Sequence, residues 1–193
     1  MASLLHSLLQ LDRKIWRTIN IQGQNAALDL LAPVLRNPLT WSPLYLFLAI
    51  FMPWKFGKKG WLWCLGFLIT FALSDYTSAS LIKPYVRRLR PCNDELVRKG
   101  MHLLVDCGSG YSFPSAHAAN HFALALFMSL TLRRHYRWIW LPAFLWAFSV
   151  AYAQVYVGVH YPLDVTCGAL LGLLAGTITG LFFDRKIGLG KKR

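Results

Sequence analysis

Long apolar stretches separated by short polar connectors dominate the chain, and five of them look able to cross a membrane. The first is short, and we expect it to continue a helix that begins near Ala26 and is interrupted at Asn37-Pro38, since proline ends or kinks helices. Tryptophan and tyrosine gather at the ends of several stretches, as in interfacial anchors. The pattern predicts an all-α, polytopic membrane helix bundle with five to six spans. The five stretches are Trp41 to Trp54, Trp61 to Ile82, Ala116 to Leu132, Trp138 to Tyr156, and Pro162 to Phe183.

The N-terminal stretch differs from these five because charges interrupt it. Its apolar positions between Leu4 and Ile19 lie mostly on one helical face. A signal peptide needs an uninterrupted apolar core, and Asp12, Arg13 and Lys14 break this one. The sequence predicts an interfacial amphipathic helix over residues 1–20. The alternative is an ordinary helix that packs on the bundle.

The net charge of +13 would suit a nucleic-acid-binding protein, but its distribution favours a membrane protein instead. With five spans, three basic clusters fall on the same side, which the positive-inside rule makes cytoplasmic. The segment 84–114 is then an outer loop, and residues 1–193 form a single membrane domain. With six spans this assignment of sides would change. The three clusters are Lys55/Lys58/Lys59, Arg133/Arg134/Arg137, and the tail Arg185/Lys186/Lys191/Lys192/Arg193.

Two of the four cysteines, Cys92 and Cys107, fall in this outer loop. Oxidising conditions outside the cell would join them in a disulfide. Two free thiols are the alternative.

Three polar clusters stand where apolar stretches begin or end, and their residue types suit phosphate chemistry. The first supplies cations, which bind phosphate oxygens well when they are guanidinium groups. In the second, Ser115 is a natural N-cap, and a helix N-terminus attracts anions. Each of these two signals is weak alone, because basic runs are often only solvated and Ser-Ala-His is often only a cap. The clusters are Lys83 to Pro91, Phe113 to His117, and Val155 to Asp164.

The third cluster is the most specific, since Asp164 lies four residues after His160 and within reach of a ring N–H. A carboxylate on one ring nitrogen leaves the other free to act as a nucleophile. A structural His–Asp pair is the alternative. His121 follows His117 by one helical turn, but further metal ligands are lacking nearby, so the sequence predicts no metal site.

Together the three spacings resemble the type 2 phosphatidic acid phosphatase family of membrane lipid phosphatases. Its pattern is Lys-x6-Arg-Pro, then Pro-Ser-Gly-His, then Ser-Arg-x5-His-x3-Asp. This chain has Lys83-x6-Arg90-Pro91, then Pro114-Ser115-Ala116-His117, then Ala153-Gln154-x5-His160-x3-Asp164. The resemblance implies that His160 attacks phosphorus, that Asp164 orients it, and that His117 protonates the leaving oxygen. It also implies that Lys83, Arg90 and Ser115 hold the phosphoryl oxygens without a metal or other cofactor.

Two positions depart from the family pattern. Ala116 replaces glycine, a mild change because the backbone amide that faces phosphate is kept. Gln154 replaces an arginine and removes a positive charge from the phosphate-binding set, a loss worth about a hundredfold in rate. We expect Arg87 or Arg88 to compensate; a non-catalytic lipid-binding pseudoenzyme is the alternative.

The predicted function is therefore hydrolysis of a membrane lipid phosphate or diphosphate. The compact size is similar to that of the family's undecaprenyl-diphosphate phosphatases in the bacterial inner membrane, with the site facing the periplasm or exterior. Phosphatidylglycerophosphate, phosphatidate and lipid A phosphatases share the same motifs. Vanadate-dependent haloperoxidases share them too, but they are soluble proteins, whereas this chain is rich in apolar spans. The sequence does not specify an oligomeric state.

Overall fold

The computed structural model describes residues 2–190, and in this part of the chain the regular secondary structure is entirely helical. Helix α1 spans Ala2–Arg17, and a π-helical segment, Thr18–Gln22, follows it. The remaining main helices are α2 (Ala26–Arg36), α3 (Ser42–Phe56), α4 (Lys58–Asp75), α5 (Lys83–Val86), α6 (Ala116–Leu132), α7 (Trp140–Tyr156) and α8 (Pro162–Lys186). A second π-helical segment, Tyr76–Ile82, connects α4 to α5.

The expected break near Asn37-Pro38 is present and separates α2 from α3. Asn37 ends α2, and its side-chain oxygen accepts a hydrogen bond from Leu39 N at 3.0 Å. A 3-10 turn over Pro38–Trp41 then redirects the chain. The fold class predicted from the apolar pattern, an all-helical bundle, is confirmed.

Helices α6 and α8 form the centre of the bundle, and glycine is the reason they approach so closely. Four glycines of α8 recur at every fourth residue and face α6. A Cβ atom at Gly172 would lie 2.1 Å from the carbonyl oxygen of Ala119, and one at Gly168 would lie 2.4 Å from that of Ser115. Small residues at this spacing allow two helix backbones to touch, as in membrane bundles. The four glycines are Gly168, Gly172, Gly176 and Gly180.

The opposite face of α8 exposes large apolar side chains, each more than half accessible: Leu170, Leu174, Ile178 and Phe182. Exposed leucine and aromatic residues also cover α3 and α4. Two helical stretches, Lys58–Asn93 and Pro162–Lys186, are long and apolar enough to cross a membrane. The count of five to six spans remains a prediction.

The two ends of the bundle differ in chemistry. At one end, Arg133 and Arg134 both reach Asp184 at 3.4 Å, and the Phe56 ring lies against His135. The basic connectors of the sequence therefore gather at that end. The beginnings of α6 and α8 lie at the other end, where Ser115 N donates to Asp164 O at 2.9 Å. All three polar clusters meet at this second end.

Helix α1 packs across this second end. Asp12 and Trp16 are buried there, while Leu4, Leu5, Leu8, Leu11 and Ile15 are exposed. The side chain of Asn20 ties the following segment to the bundle, because its amide donates to the carbonyl oxygens of His102 and Tyr156 at 2.7 Å. The helix is thus amphipathic and also packed on the bundle; its location at a membrane interface remains a prediction.

The outer loop is fixed to the bundle at several points. Cys92 and Cys107 form a disulfide, with Cα atoms 6.0 Å apart. Ser112 N donates to Arg88 O at 2.8 Å, which joins the two ends of the loop beside the polar clusters. The loop therefore holds the Lys83–Pro91 segment against the start of α6.

Candidate active site

His160 and Asp164 lie at the start of α8, and both are buried. Asp164 is the third residue of the helix, and its Oδ2 accepts a hydrogen bond from Tyr161 N at 2.9 Å. The same oxygen lies 3.6 Å from Nδ1 of His160. Because the carboxylate faces Nδ1, Nε2 is the ring nitrogen left for a reaction with substrate.

His117 reaches the same place from the first turn of α6. Ser115 caps this helix, as predicted, and its side chain accepts from Ala118 N at 3.4 Å. His117 lies close enough to His160 and to Lys83 to interact with both electrostatically. The second cluster therefore converges with the third. Ala116 lies in the first turn of the same helix, so its amide belongs to the helix N-terminus.

Lys83 and Arg90 bring positive charge to the two histidines. Both interact electrostatically with His160 and Asp164. Within residues 2–190, Nε of Arg90 is buried and has no hydrogen-bond partner. The first cluster therefore lies beside the other two, and its Arg90 Nε–H is free to donate a hydrogen bond.

Arg88 lies behind Asp164 and joins it to α1. Its Nη1 is 2.7 Å from Asp164 Oδ1, and its Nη2 is 2.5 Å from Asp12 Oδ2. The guanidinium also stacks over the Tyr161 ring at 4.1 Å. Asp12 in turn accepts from Leu163 N at 2.8 Å through its other oxygen. The structure thus places Arg88 on two carboxylates, where it fixes the orientation of Asp164.

The structure does not bring Arg87 to the site. Arg87 ends α5 in the left-handed conformation, with φ 51°, and its side chain is exposed. Its Nε donates to the carbonyl oxygen of Pro84 at 2.9 Å. A residue that ends a helix in this conformation turns the chain away from the helix axis, and here its side chain binds its own helix end.

Gln154 is fully buried at the end of α7, below His160. Its backbone oxygen accepts from His160 N at 3.2 Å. Neither polar atom of its side-chain amide has a hydrogen-bond partner within residues 2–190. Burying an amide without a partner costs free energy, so both polar atoms of Gln154 remain open to a hydrogen bond.

Two residues that the motifs did not indicate also belong to this site. Asp12 holds Arg88, and Arg36 at the end of α2 interacts electrostatically with Arg90 and His117. The sequence contained a signal for each. Asp12 is an acidic residue among basic ones on α1, and Arg36 is the one basic residue in the apolar run Ala26–Arg36 before Asn37-Pro38.

Burial controls the protonation of His160. It lowers the pKa of this imidazole from 6.5 to about 4. The ring is then neutral at physiological pH, as a nucleophile must be.

An apolar groove of about 700 Å³ opens beside His117. It runs between α3, α4 and α6, and its polar lining includes Asn120, whose amide donates to Asp75 Oδ1 at 2.8 Å. Its volume lies in the range of ligand pockets. The apolar part of the lining includes Tyr45, Leu48, Phe67, Leu68, Phe71 and Leu124.

Two histidines, a carboxylate beside one of them, and converging cations form an arrangement whose chemistry suits an oxyanion such as phosphate. No three His, Cys, Asp or Glu side chains in the described part of the chain are grouped to hold a metal ion. The fold and the site together define the class of protein: an all-helical bundle with a two-histidine site and cations at one end.

The chain belongs to the PAP2 superfamily, whose family model matches residues 61–187. It is 35% identical over 139 residues to a lipid A 4'-phosphatase of Bacteroides thetaiotaomicron. The aligned region covers 70% of this chain and 61% of that protein. It is 34% identical over 132 residues to an undecaprenyl-diphosphatase of Sulfolobus acidocaldarius. The aligned region covers 68% of this chain and 58% of that protein. The matched region thus spans less than two thirds of either relative.

Solved structures agree with the fold. The crystal structure of Aquifex aeolicus LpxE superposes with a TM-score of 0.66 at 29% identity and covers 86% of this chain and 92% of that one. A PAP2-type phosphatidylglycerolphosphate phosphatase from Bacillus subtilis gives a TM-score of 0.72 at 23% identity, covering 94% and 88%. At that identity the second structure supports the fold alone.

Proposed function

We propose that the protein is an integral membrane phosphatase that hydrolyses a lipid phosphate or diphosphate through a phosphohistidine on His160. One observation carries the proposal: the buried His160–Asp164 pair lies close to His117, Lys83 and Arg90, and His117 also lines the apolar groove. The phosphate group would lie among the cations, and the lipid chains would lie in the groove. Membership of the PAP2 superfamily supports the same reaction class.

The proposed reaction has two steps. Nε2 of His160 attacks phosphorus, the bond from phosphorus to the leaving oxygen breaks, and His117 gives that oxygen a proton. Water next attacks the phosphohistidine, with His117 taking a proton from it, and the N–P bond breaks. Inorganic phosphate leaves, and His160 returns to its neutral form. Asp164 stabilises the positive charge that His160 carries during attack.

The exposed apolar surface of α3, α4 and α8 supports an embedded protein, since surfaces of this kind are rare on soluble monomers. The basic connectors lie at the end opposite the site. By the positive-inside rule, the site would face the periplasm or exterior of a bacterial inner membrane.

Two substrates have specific support. The similarity to an undecaprenyl-diphosphatase favours undecaprenyl diphosphate. The similarity to two lipid A 4'-phosphatases, from Bacteroides thetaiotaomicron and Porphyromonas gingivalis, favours the 4'-phosphate of lipid A.

Phosphate release from the purified protein in detergent tests the proposal. The panel consists of undecaprenyl diphosphate, lipid A, phosphatidylglycerophosphate and phosphatidate, each at matched surface concentration. We expect one of the first two to have the highest kcat/KM. Release from none of the four would show a non-catalytic lipid-binding protein instead.

We also propose that the reaction needs no metal, because His117, His160 and Asp164 supply the nucleophile and the proton transfers. Activity should survive EDTA at millimolar concentration. Loss of activity in EDTA, restored by a divalent ion, would contradict the mechanism.

A further inference from the structure

Arg36 is fixed beside the candidate active site by the packing of α2. Ala32, one turn earlier, is buried in a cluster with Ala153 at the end of α7, and Leu35 packs against this cluster. The carbonyl oxygen of Leu35 accepts from Trp41 Nε1 at 2.8 Å. These contacts hold the end of α2 against the end of α7, where Gln154 lies.

The charge of Arg36 faces other positive charges. It interacts with Arg90 and with His117, and within residues 2–190 it forms no salt bridge with a carboxylate. Its Nε is buried without a hydrogen-bond partner in the described chain, like that of Arg90. Bringing two guanidinium groups together out of water costs free energy unless an anion lies between them. The pair therefore indicates a site for a doubly charged oxyanion.

The two loop arginines are occupied elsewhere. Arg88 is held by Asp12 and Asp164, and Arg87 binds the carbonyl oxygen of Pro84. Gln154 supplies only a neutral amide, which is buried and unpaired. Arg36 is thus the cation best placed to act where Gln154 carries no charge.

We propose that Arg36 binds the phosphoryl group of the substrate and supplies the positive charge that Gln154 lacks. This inference rests on the proposed phosphatase function. A guanidinium fork from α2 and another from Arg90 would hold the phosphoryl oxygens from two sides, with the Gln154 amide below them.

Four variants test it on the panel lipid that wild type hydrolyses fastest: Arg36→Gln, Arg36→Lys, Gln154→Arg, and the double variant Arg36→Gln/Gln154→Arg. Orthovanadate, a phosphate-like anion, is the second probe. Its binding is measured from the inhibition of turnover and from the rise in melting temperature that it causes. Arg36→Gln should lower kcat/KM at least tenfold and weaken vanadate binding, as expected for a lost contact to transition-state charge. Arg36→Lys should retain part of the wild-type kcat/KM and part of the vanadate binding.

Gln154→Arg alone should leave the rate unchanged or lower it, because the new guanidinium meets Arg36 and Arg90. In the Arg36→Gln background the same change should raise the rate, because it restores the missing charge. Arg87→Gln is the matched control, since it removes an exposed arginine at the same end; it should stay within twofold of wild type. Each variant is first checked for a single species and a cooperative melt.

An Arg36→Gln protein with wild-type turnover and vanadate binding would overturn the inference. Failure of Gln154→Arg to restore any rate in the Arg36→Gln background would also overturn it, since the two positions would then not share one charge. If Arg36→Gln does not fold, Arg36→Lys decides: partial loss of turnover and of vanadate binding supports the contact, and wild-type values of both overturn it, since the guanidinium fork would then make no contact. Wild-type protein that neither hydrolyses the panel lipids nor binds vanadate would refute the proposed function itself.

Discussion

At the scale of single residues, His160 has the most direct test, because it is the proposed nucleophile. His160→Gln keeps most of the side-chain volume in this buried place but cannot form the phosphohistidine. We expect turnover to fall by about a thousandfold or more, as with other lost nucleophiles. Acid-quenched wild-type enzyme given 32P-labelled lipid should carry an acid-labile label that the variant lacks.

The control for this prediction is His102→Gln, the same substitution in the outer loop. His102 pairs with Asp29 at 2.9 Å, away from the reacting groups, so the variant should keep wild-type turnover. A His160→Gln protein that hydrolyses lipid as fast as the His102→Gln protein would exclude His160 as nucleophile.

The pH dependence also belongs to the residue scale. Burial lowers the pKa of His160 to about 4 and so keeps the ring neutral above that pH. Protonation removes the nucleophile, so kcat/KM should fall on the acid side only as the pH approaches about 4. An acid limb centred near 6.5, the ordinary histidine value, would contradict the burial argument.

At the scale of elements, helix α1 is coupled to the site through Asp12. Asp12→Asn keeps an oxygen for Leu163 N but removes the negative charge that faces Arg88. We expect a loss of about 2 kcal/mol in the free energy of unfolding, typical of a hydrogen bond to a charged group. The kcat should fall about tenfold, since Arg88 would hold Asp164 less rigidly.

Arg13→Gln is the control on the same helix. Arg13 reaches Asp94 only at 3.4 Å, and its side chain is 38% exposed. The Arg13→Gln substitution should therefore change the free energy of unfolding and the kcat only slightly. Equal effects of the two substitutions would show that α1 contributes general packing and not a specific link through Arg88.

At the scale of the whole molecule, the contact between α6 and α8 sets the distance between the two histidines. Gly172→Ala places a methyl group 2.1 Å from the Ala119 carbonyl oxygen, so the helices must separate. The cost of such overpacking is about 1–3 kcal/mol. Because His117 lies in the first turn of α6 and His160 lies just before α8, the melting temperature and kcat should both fall.

Gly180→Ala in the same helix is the matched control. Its nearest neighbour is the flexible Leu130 side chain, at 3.0 Å, so the contact can relax. The variant should keep nearly wild-type stability and turnover. If Gly172→Ala is as active and stable as Gly180→Ala, the close contact does not position the site.

The sequence by itself determined the helices and the motifs. Helix ends followed from apolar run length and from Asn37-Pro38, and the all-helical class follows from runs too long for strands. The spacing of His160 and Asp164 placed His160 just before α8 and Asp164 in its first turn, because helix geometry is local.

The tertiary structure alone decided which cations lie beside the two histidines. Arg87, Arg88 and Arg90 are close neighbours in sequence, yet Arg87 is exposed, Arg88 lies on Asp12 and Asp164, and Arg90 faces His160. Arg36 joins them from more than fifty residues away in sequence, at the end of α2. Where a long side chain points depends on backbone angles and on partners from other helices, and these exist only once the helices have packed.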